Sequence, residues 1–162
     1  MTRAHATAAA QPPAAYTAPM TRILIADDHP LYRLALAQSL RDLEAGIEVD
    51  EADSLEAARA ALAARPDTDL VLLDLHMPDS HGLMGLAQLR SEHPSIAVAI
   101  ISAHDEPGTI RRAFAFGAAG YLTKRARVDE LRAGLRAVLD CEAWVPPALR
   151  PAVAAAPASR ED

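Results

Sequence analysis

Leu70-Val71-Leu72-Leu73-Asp74, followed by Leu75-His76-Met77-Pro78-Asp79-Ser80, is the stretch on which the fold turns. Four apolar residues without alternation read as a strand buried on both faces, the pattern of a parallel sheet covered by helices. The run stops on a carboxylate, and Pro78 with Gly82 turns the chain into a loop. In open parallel sheets, ligands sit in the crevice outside the carboxyl ends of the strands. Asp74 is placed to stand in that crevice. Alone, an acidic residue there need only end a strand or cap the next helix, so the rest of the chain has to decide.

Upstream, Arg22-Ile23-Leu24-Ile25-Ala26 is a second buried strand that also ends in acid, Asp27-Asp28, and Pro30 after His29 suits the first turn of a helix. Leu36, Leu40 and Leu43 recur at helical spacing, Gly46 closes that helix, and Ile47 to Ala52 alternates like a strand nearer the sheet edge. Asp53-Ser54-Leu55-Glu56 offers a capped helix start, with Glu56 three residues after Asp53. Downstream, Leu83, Leu86 and Leu89 trace a third helix, and Ile96 to Ile101 a fourth strand ending on Ser102. A helix over about residues 106–116 stops at Gly117, and Gly120-Tyr121-Leu122-Thr123 is a short fifth strand ending on Lys124. Val128, Leu131, Leu135 and Val138 give the clearest amphipathic stripe. Five strands alternating with five helices predict an α/β fold, a (βα)5 doubly wound five-stranded parallel sheet. Such a sheet gathers Asp27, Asp28, Asp74, Ser102 and Lys124 at one edge, a convergence that chance rarely supplies.

Composition bounds the function classes. The 162 residues suffice for one domain with a sizeable, mostly aliphatic core, since aromatics make up only 4%. A formal charge of −6 argues against a surface that binds nucleic acid unaided. The lone Cys141 excludes an internal disulfide, and no apolar run approaches a membrane-spanning length. These features lead us to expect a cytoplasmic protein with no membrane contact. Residues 1–19, rich in alanine, proline and threonine, lack a secretory apolar segment and read as a disordered extension, with Met20 an alternative start. Residues 20–142 form the domain, and the proline- and alanine-rich residues 143–162 read as a linker or tail without structure.

Three neighbouring carboxylates repel one another unless a cation answers them. Oxygen donors of this kind suit Mg²⁺, which keeps several waters and uses few carboxylates. With Lys124 as a compact positive charge and Ser102 as a hydroxyl donor, such a set can accept a phosphoryl group, one carboxylate attacking phosphorus in line. Asp74, on the most apolar strand, is the best nucleophile.

The ordered set Ile23-Leu24-Ile25-Ala26-Asp27-Asp28-His29-Pro30, Leu70 to Pro78, Ile100-Ile101-Ser102-Ala103 and Gly117 to Lys124 resembles the receiver domain of two-component response regulators, over roughly residues 21–142. The resemblance implies the strand order 2-1-3-4-5 and a role for each position. Asp74 would be the phosphoacceptor, served by a sensor histidine kinase, and the protein would not be an enzyme in the ordinary sense. Asp28 and Asp74 would bind Mg²⁺ directly, Asp27 largely through water, and the His76 backbone carbonyl would be a further ligand. Lys124 would pair with the acceptor, Ser102 would swing to the phosphoryl group, and Tyr121 would follow it inward as an aromatic switch. His29-Pro30, the Gly-Tyr-Leu phrase and Trp144-Val145-Pro146 are similar to the NarL/LuxR-type branch, whose members usually carry a C-terminal helix-turn-helix. A homodimer is then an expected partner, and DNA would be reached only through an output domain not present in this chain. Where the family often has proline after the lysine, this chain has Arg125.

His76, His81 and His104 share no ligand spacing and read as loop histidines, with His104 placed to gate access to Asp74. Phe114 and Phe116 cannot both face the core of one helix, and Arg111, Arg112, Arg132 and Arg136 read as solvated helix faces. Three other classes compete. A haloacid dehalogenase-type phosphohydrolase would want Asp-x-Asp after an early strand, whereas Asp27 and Asp28 are adjacent. A flavin module would want a phosphate-binding loop there. A receiver acting by protein–protein contact without phosphorylation is the third.

Overall fold

Parallel pairing decides where each strand delivers its last residue. The computed structural model describes residues 21–157. Its sheet runs β2 (Ile47–Ala52), β1 (Thr21–Ala26), β3 (Leu70–Leu73), β4 (Ala97–Ser102), β5 (Gly120–Thr123), with every pairing parallel. The crossovers carry α1 (Pro30–Leu43), α2 (Leu55–Ala64), α3 (Leu83–Glu92) and α4 (Pro107–Ala115), and α5 (Val128–Leu139) follows β5. The expected (βα)5 sheet and its 2-1-3-4-5 order are what the structure has. The expectation for residues 1–19 lies outside the described residues.

Successive strand residues point to opposite faces, and the core divides accordingly. Leu24, Val71, Leu73, Val98, Ile100 and Tyr121 meet α2, α3 and α4 on one face. Ile23, Ile25, Leu70, Leu72, Ile101 and Leu122 meet α1 and α5 on the other. Leu72 and Leu73 are both fully buried, as a strand covered on both sides requires. On α5 the inward stripe starts later than the sequence suggests, for Val128 is 65% exposed while Leu135 and Val138 are buried.

The unstructured reading of the C-terminal stretch needs correction. A 3₁₀ turn (Pro147–Leu149) leads into α6 (Arg150–Ala155), whose Val153 is buried in the core beside α4. Composition missed this because the segment is held by tertiary contacts. Tyr121 donates its backbone N–H to the Trp144 carbonyl at 2.8 Å. Arg111 Nη1 donates to the Val153 and Ala154 carbonyls, each at 3.1 Å. Trp144 lies close over α5, where a Cβ at Gly134 would stand 2.8 Å from its indole Nε1. Arg111 is therefore a clamp instead of a solvated side chain, and Arg136, paired with Glu44 and bonded to the Leu43 carbonyl, ties α5 to the end of α1. Phe114 packs against the core and Phe116 is exposed, so the two do part as expected.

The start of α2 differs in the same informative way. Ser54, not Asp53, is the N-cap, its Oγ accepting from Ala57 N. The other free amides at that end are taken by Asp79, from the loop after β3: Leu55 N donates to Oδ1 at 2.8 Å and Glu56 N to Oδ2 at 3.0 Å. A local sequence pattern cannot reveal a cap supplied from another loop. The Leu55 amide chiefly, with the Glu56 amide, holds the Asp79 carboxyl below its ordinary 3.8. Its stabilisation is therefore complete above that ordinary value and is lost as pH falls through the depressed one. Asp79→Ala should cost about 0.5–2 kcal/mol in urea unfolding at neutral pH. The difference from wild type should close in that acid range.

Candidate functional site

Strand register brings the polar ends together. Ala26 pairs with Leu73, so Asp27 and Asp74 leave adjacent strands side by side, Asp74 N donating to the Ala26 carbonyl at 2.9 Å. Ser102 pairs with Thr123, and Lys124 N donates to the Ser102 carbonyl at 2.8 Å, which sets Lys124 at the same edge. Asp27, Asp74 and Ser102 are almost wholly buried.

A single ammonium answers the buried charge. Lys124 Nζ stands 2.7 Å from Asp27 Oδ2 and 3.1 Å from Asp74 Oδ2. Burial by itself raises the Asp27 pKa, but the hydrogen bonds from Lys124 and His29 outweigh it and hold the carboxyl below its ordinary value. Tyr32 packs under the same ammonium, its ring centroid 4.9 Å from Nζ. Burial, with Asp27 adding to it, pushes the Tyr32 phenol up to about 12. A cavity of about 380 Å³ opens above, lined by His29, Tyr32, Asp74, His76, Ala103, His104 and Lys124.

The loop after β4 is stitched to β5. His104 N donates to Ser102 Oγ at 3.0 Å, and the buried Tyr121 donates its hydroxyl to the His104 carbonyl at 2.6 Å. Burial also raises the Tyr121 pKa. Two residues beyond Asp74, His76 donates its backbone N–H to Asp74 Oδ1 at 2.9 Å. The rings of His76 and His104 lie 4.1 Å apart at a 45° tilt, whereas His81 lines a different pocket beside α2 and α3. Among the described residues no peptide is cis, the Lys124-Arg125 bond included.

Residues 23–136 match the response regulator receiver domain. The chain belongs to that family. The receiver is 40% identical over 128 residues to the glycerol metabolism activator of Pseudomonas putida, covering 79% of this chain and 58% of that protein. It is 38% identical over 120 residues to the probable transcriptional regulatory protein NarL of Mycobacterium tuberculosis, covering 74% and 54%. Among solved structures, a LuxR family DNA-binding response regulator from Silicibacter pomeroyi superposes with a TM-score of 0.70 at 34% identity, over 80% of this chain and 99% of that one. The signal receiver domain of the putative M. tuberculosis NarL gives 0.65 at 38% identity, over 76% and 96%. This is a receiver of the NarL/LuxR type, and it spans a little over half the length of the curated relatives it matches. No helix among the described residues is long and apolar enough to cross a membrane.

The receiver's acidic cluster fits a hard divalent cation. Asp27, Asp28, His29 and Asp74 each bring one donor atom, all within 4.8 Å of one another. Asp28 Oδ1 is buried and accepts no hydrogen bond, while the Lys124 ammonium is the partner of Asp27 Oδ2. Two residues of the site escaped the sequence reading, His29 and Tyr32. The signal available for His29 was its place directly after the paired aspartates, read there as the approach to Pro30 and as part of the NarL/LuxR-type resemblance, not as a donor at the site. Removing the ammonium should expose how far the site depends on it. Lys124→Met leaves Asp27 and Asp74 buried without their cation, and urea unfolding should show a loss of about 3–5 kcal/mol. A loss under about 1 kcal/mol, the range of surface pairs, would contradict this.

Proposed function

We propose that this receiver takes a phosphoryl group on Asp74 from a sensor histidine kinase in a Mg²⁺-dependent step. The reading rests on one observation above all: a buried strand-end carboxylate, bonded by Lys124, beside Asp28 Oδ1, a buried carboxylate oxygen that accepts no hydrogen bond. An Asp74 oxygen attacks phosphorus, the P–N bond to the kinase imidazole breaks, and the bonding pair leaves with the imidazole nitrogen. Asp28 and Asp74 would hold the ion, with Asp27 acting through water and the His76 carbonyl as a further ligand. The bound ion would offset the negative charge of the incoming phosphoryl group. Lys124 neutralises charge on the transferred oxygens, and the Ser102 hydroxyl, turned from the His104 amide, donates to one of them.

The phosphorylated state then switches the loop carrying Ser102 and His104, with Tyr121 as the aromatic that reports the change. Moving such an equilibrium from 1:99 to 99:1 needs about 5.5 kcal/mol of differential stabilisation, and charge-assisted hydrogen bonds to a phosphoryl group are strong enough to contribute much of it. The output is control of dimerisation and transcription in the cytoplasm. DNA is reached through an output domain outside residues 20–142, with residues 143–162 as the connection. The adjacency of Asp27 and Asp28 and the ammonium on the acceptor favour phosphoryl acceptance over ester hydrolysis.

Phosphotransfer from a labelled histidine kinase tests this. Label should reach wild type only with Mg²⁺ and should not reach Asp74→Asn, and His104→Ala should change its lifetime on wild-type Asp74. Label on Asp74→Asn would overturn the assignment. Well-folded wild type that takes no label would leave a receiver acting through protein–protein contact.

A further inference from the structure

His29 occupies a position that its neighbours do not satisfy. Its Nδ1 lies 2.7 Å from Asp27 Oδ1, 3.3 Å from Asp28 Oδ1 and 3.4 Å from Asp74 Oδ2, and 3.0 Å from Lys124 Nζ. As a donor, Nδ1 serves the carboxylates but faces an ammonium that has only protons to offer. As an acceptor, it serves Lys124 but turns its lone pair on the carboxylates. No single tautomer suits both. The backbone of His29 is pinned as the N-cap of α1, with Arg33 N donating to its carbonyl at 2.9 Å, Pro30 following at the first helical position and His29 N donating to Asp27 Oδ1 at 2.9 Å, while the imidazole, 60% exposed, is turned toward the carboxylates and the ammonium. A divalent ion shared by Nδ1 and the carboxylate oxygens resolves the conflict, since the lone pair then points at a cation and Lys124 is left to Asp27 and Asp74.

We propose that His29 is a direct ligand, through Nδ1, of the divalent ion held by Asp28 and Asp74, giving the site one nitrogen donor among oxygens. The inference rests on the metal reading above and adds to it a residue and a preference. Magnesium favours an all-oxygen shell, whereas imidazole suits ions further along the first transition series, whose affinity for such a mixed site rises from manganese towards nickel and copper. The receiver therefore discriminates less sharply for magnesium than an all-oxygen site does, and nickel competes with magnesium for Asp28 and Asp74.

Manganese(II) is the probe. Pulsed electron paramagnetic resonance of the full chain loaded with Mn²⁺ should show ¹⁴N modulation from a coordinated imidazole. The modulation should vanish in His29→Ala and His29→Gln and persist in the His76→Ala, His104→Ala double variant. Calorimetry should show the His29 variants losing more affinity for Ni²⁺ than for Mg²⁺, with circular dichroism confirming that each is folded. Mn²⁺ bound without nitrogen modulation, or modulation that survives in His29→Gln, overturns the role of His29 and leaves the oxygen site standing. Binding that is undiminished in Asp28→Ala overturns the metal site itself.

Discussion

The contact between Lys124 and the two carboxylates it faces is the constraint from which the rest of this receiver follows. Asp27 and Asp74 are buried at the ends of neighbouring strands, and two such charges without a cation would cost about 3–5 kcal/mol. The parallel sheet delivers these residues, far apart in sequence, to one edge. Only the β5 register, with Lys124 N on the Ser102 carbonyl, aims the ammonium at both oxygens. The apolar strands bury the site, the site needs Lys124, and Lys124 needs β5 in place.

That dependence links the site to the C-terminal segment. Tyr121 is held at two points, its hydroxyl on the loop that carries Ser102 and His104 and its backbone on the Trp144 carbonyl. Trp144 opens the segment that runs through the 3₁₀ turn to α6, where Arg111 of α4 grips the last carbonyls. One residue of β5 thus touches both the loop after β4 and the chain that follows α5. A rearrangement of the loop has a short covalent and hydrogen-bonded path to that exit.

What could be read in advance was what repeats. The unbroken apolar runs of β1, β3 and β4 fixed a covered parallel sheet, and the polar residue ending each strand marked the site. What could not be read depends on partners remote in sequence. Pro147 to Ala155 has the composition of a linker, yet it folds because Val153 finds a place beside α4 and Gly134 leaves room for Trp144. Ser54 caps α2 from within, but the Leu55 and Glu56 amides are taken by Asp79 from another loop, and the Arg111 clamp comes from a helix that packs against the tail. His29 was hidden differently: its neighbours Asp27, Asp28 and Pro30 each had an evident part, and only the geometry of Nδ1 gives His29 one of its own.

The central claim is that Asp74 is an acceptor by virtue of this site alone, and a small donor that dispenses with the kinase tests it most directly. Intact mass should be measured after incubation with Mg²⁺ and acetyl phosphate, for wild type and Asp74→Ala. The account predicts one adduct of about 80 Da on wild type, none on the variant, and none on wild type when the ion is chelated. An adduct of the same size on Asp74→Ala, or none on folded wild type, would contradict it.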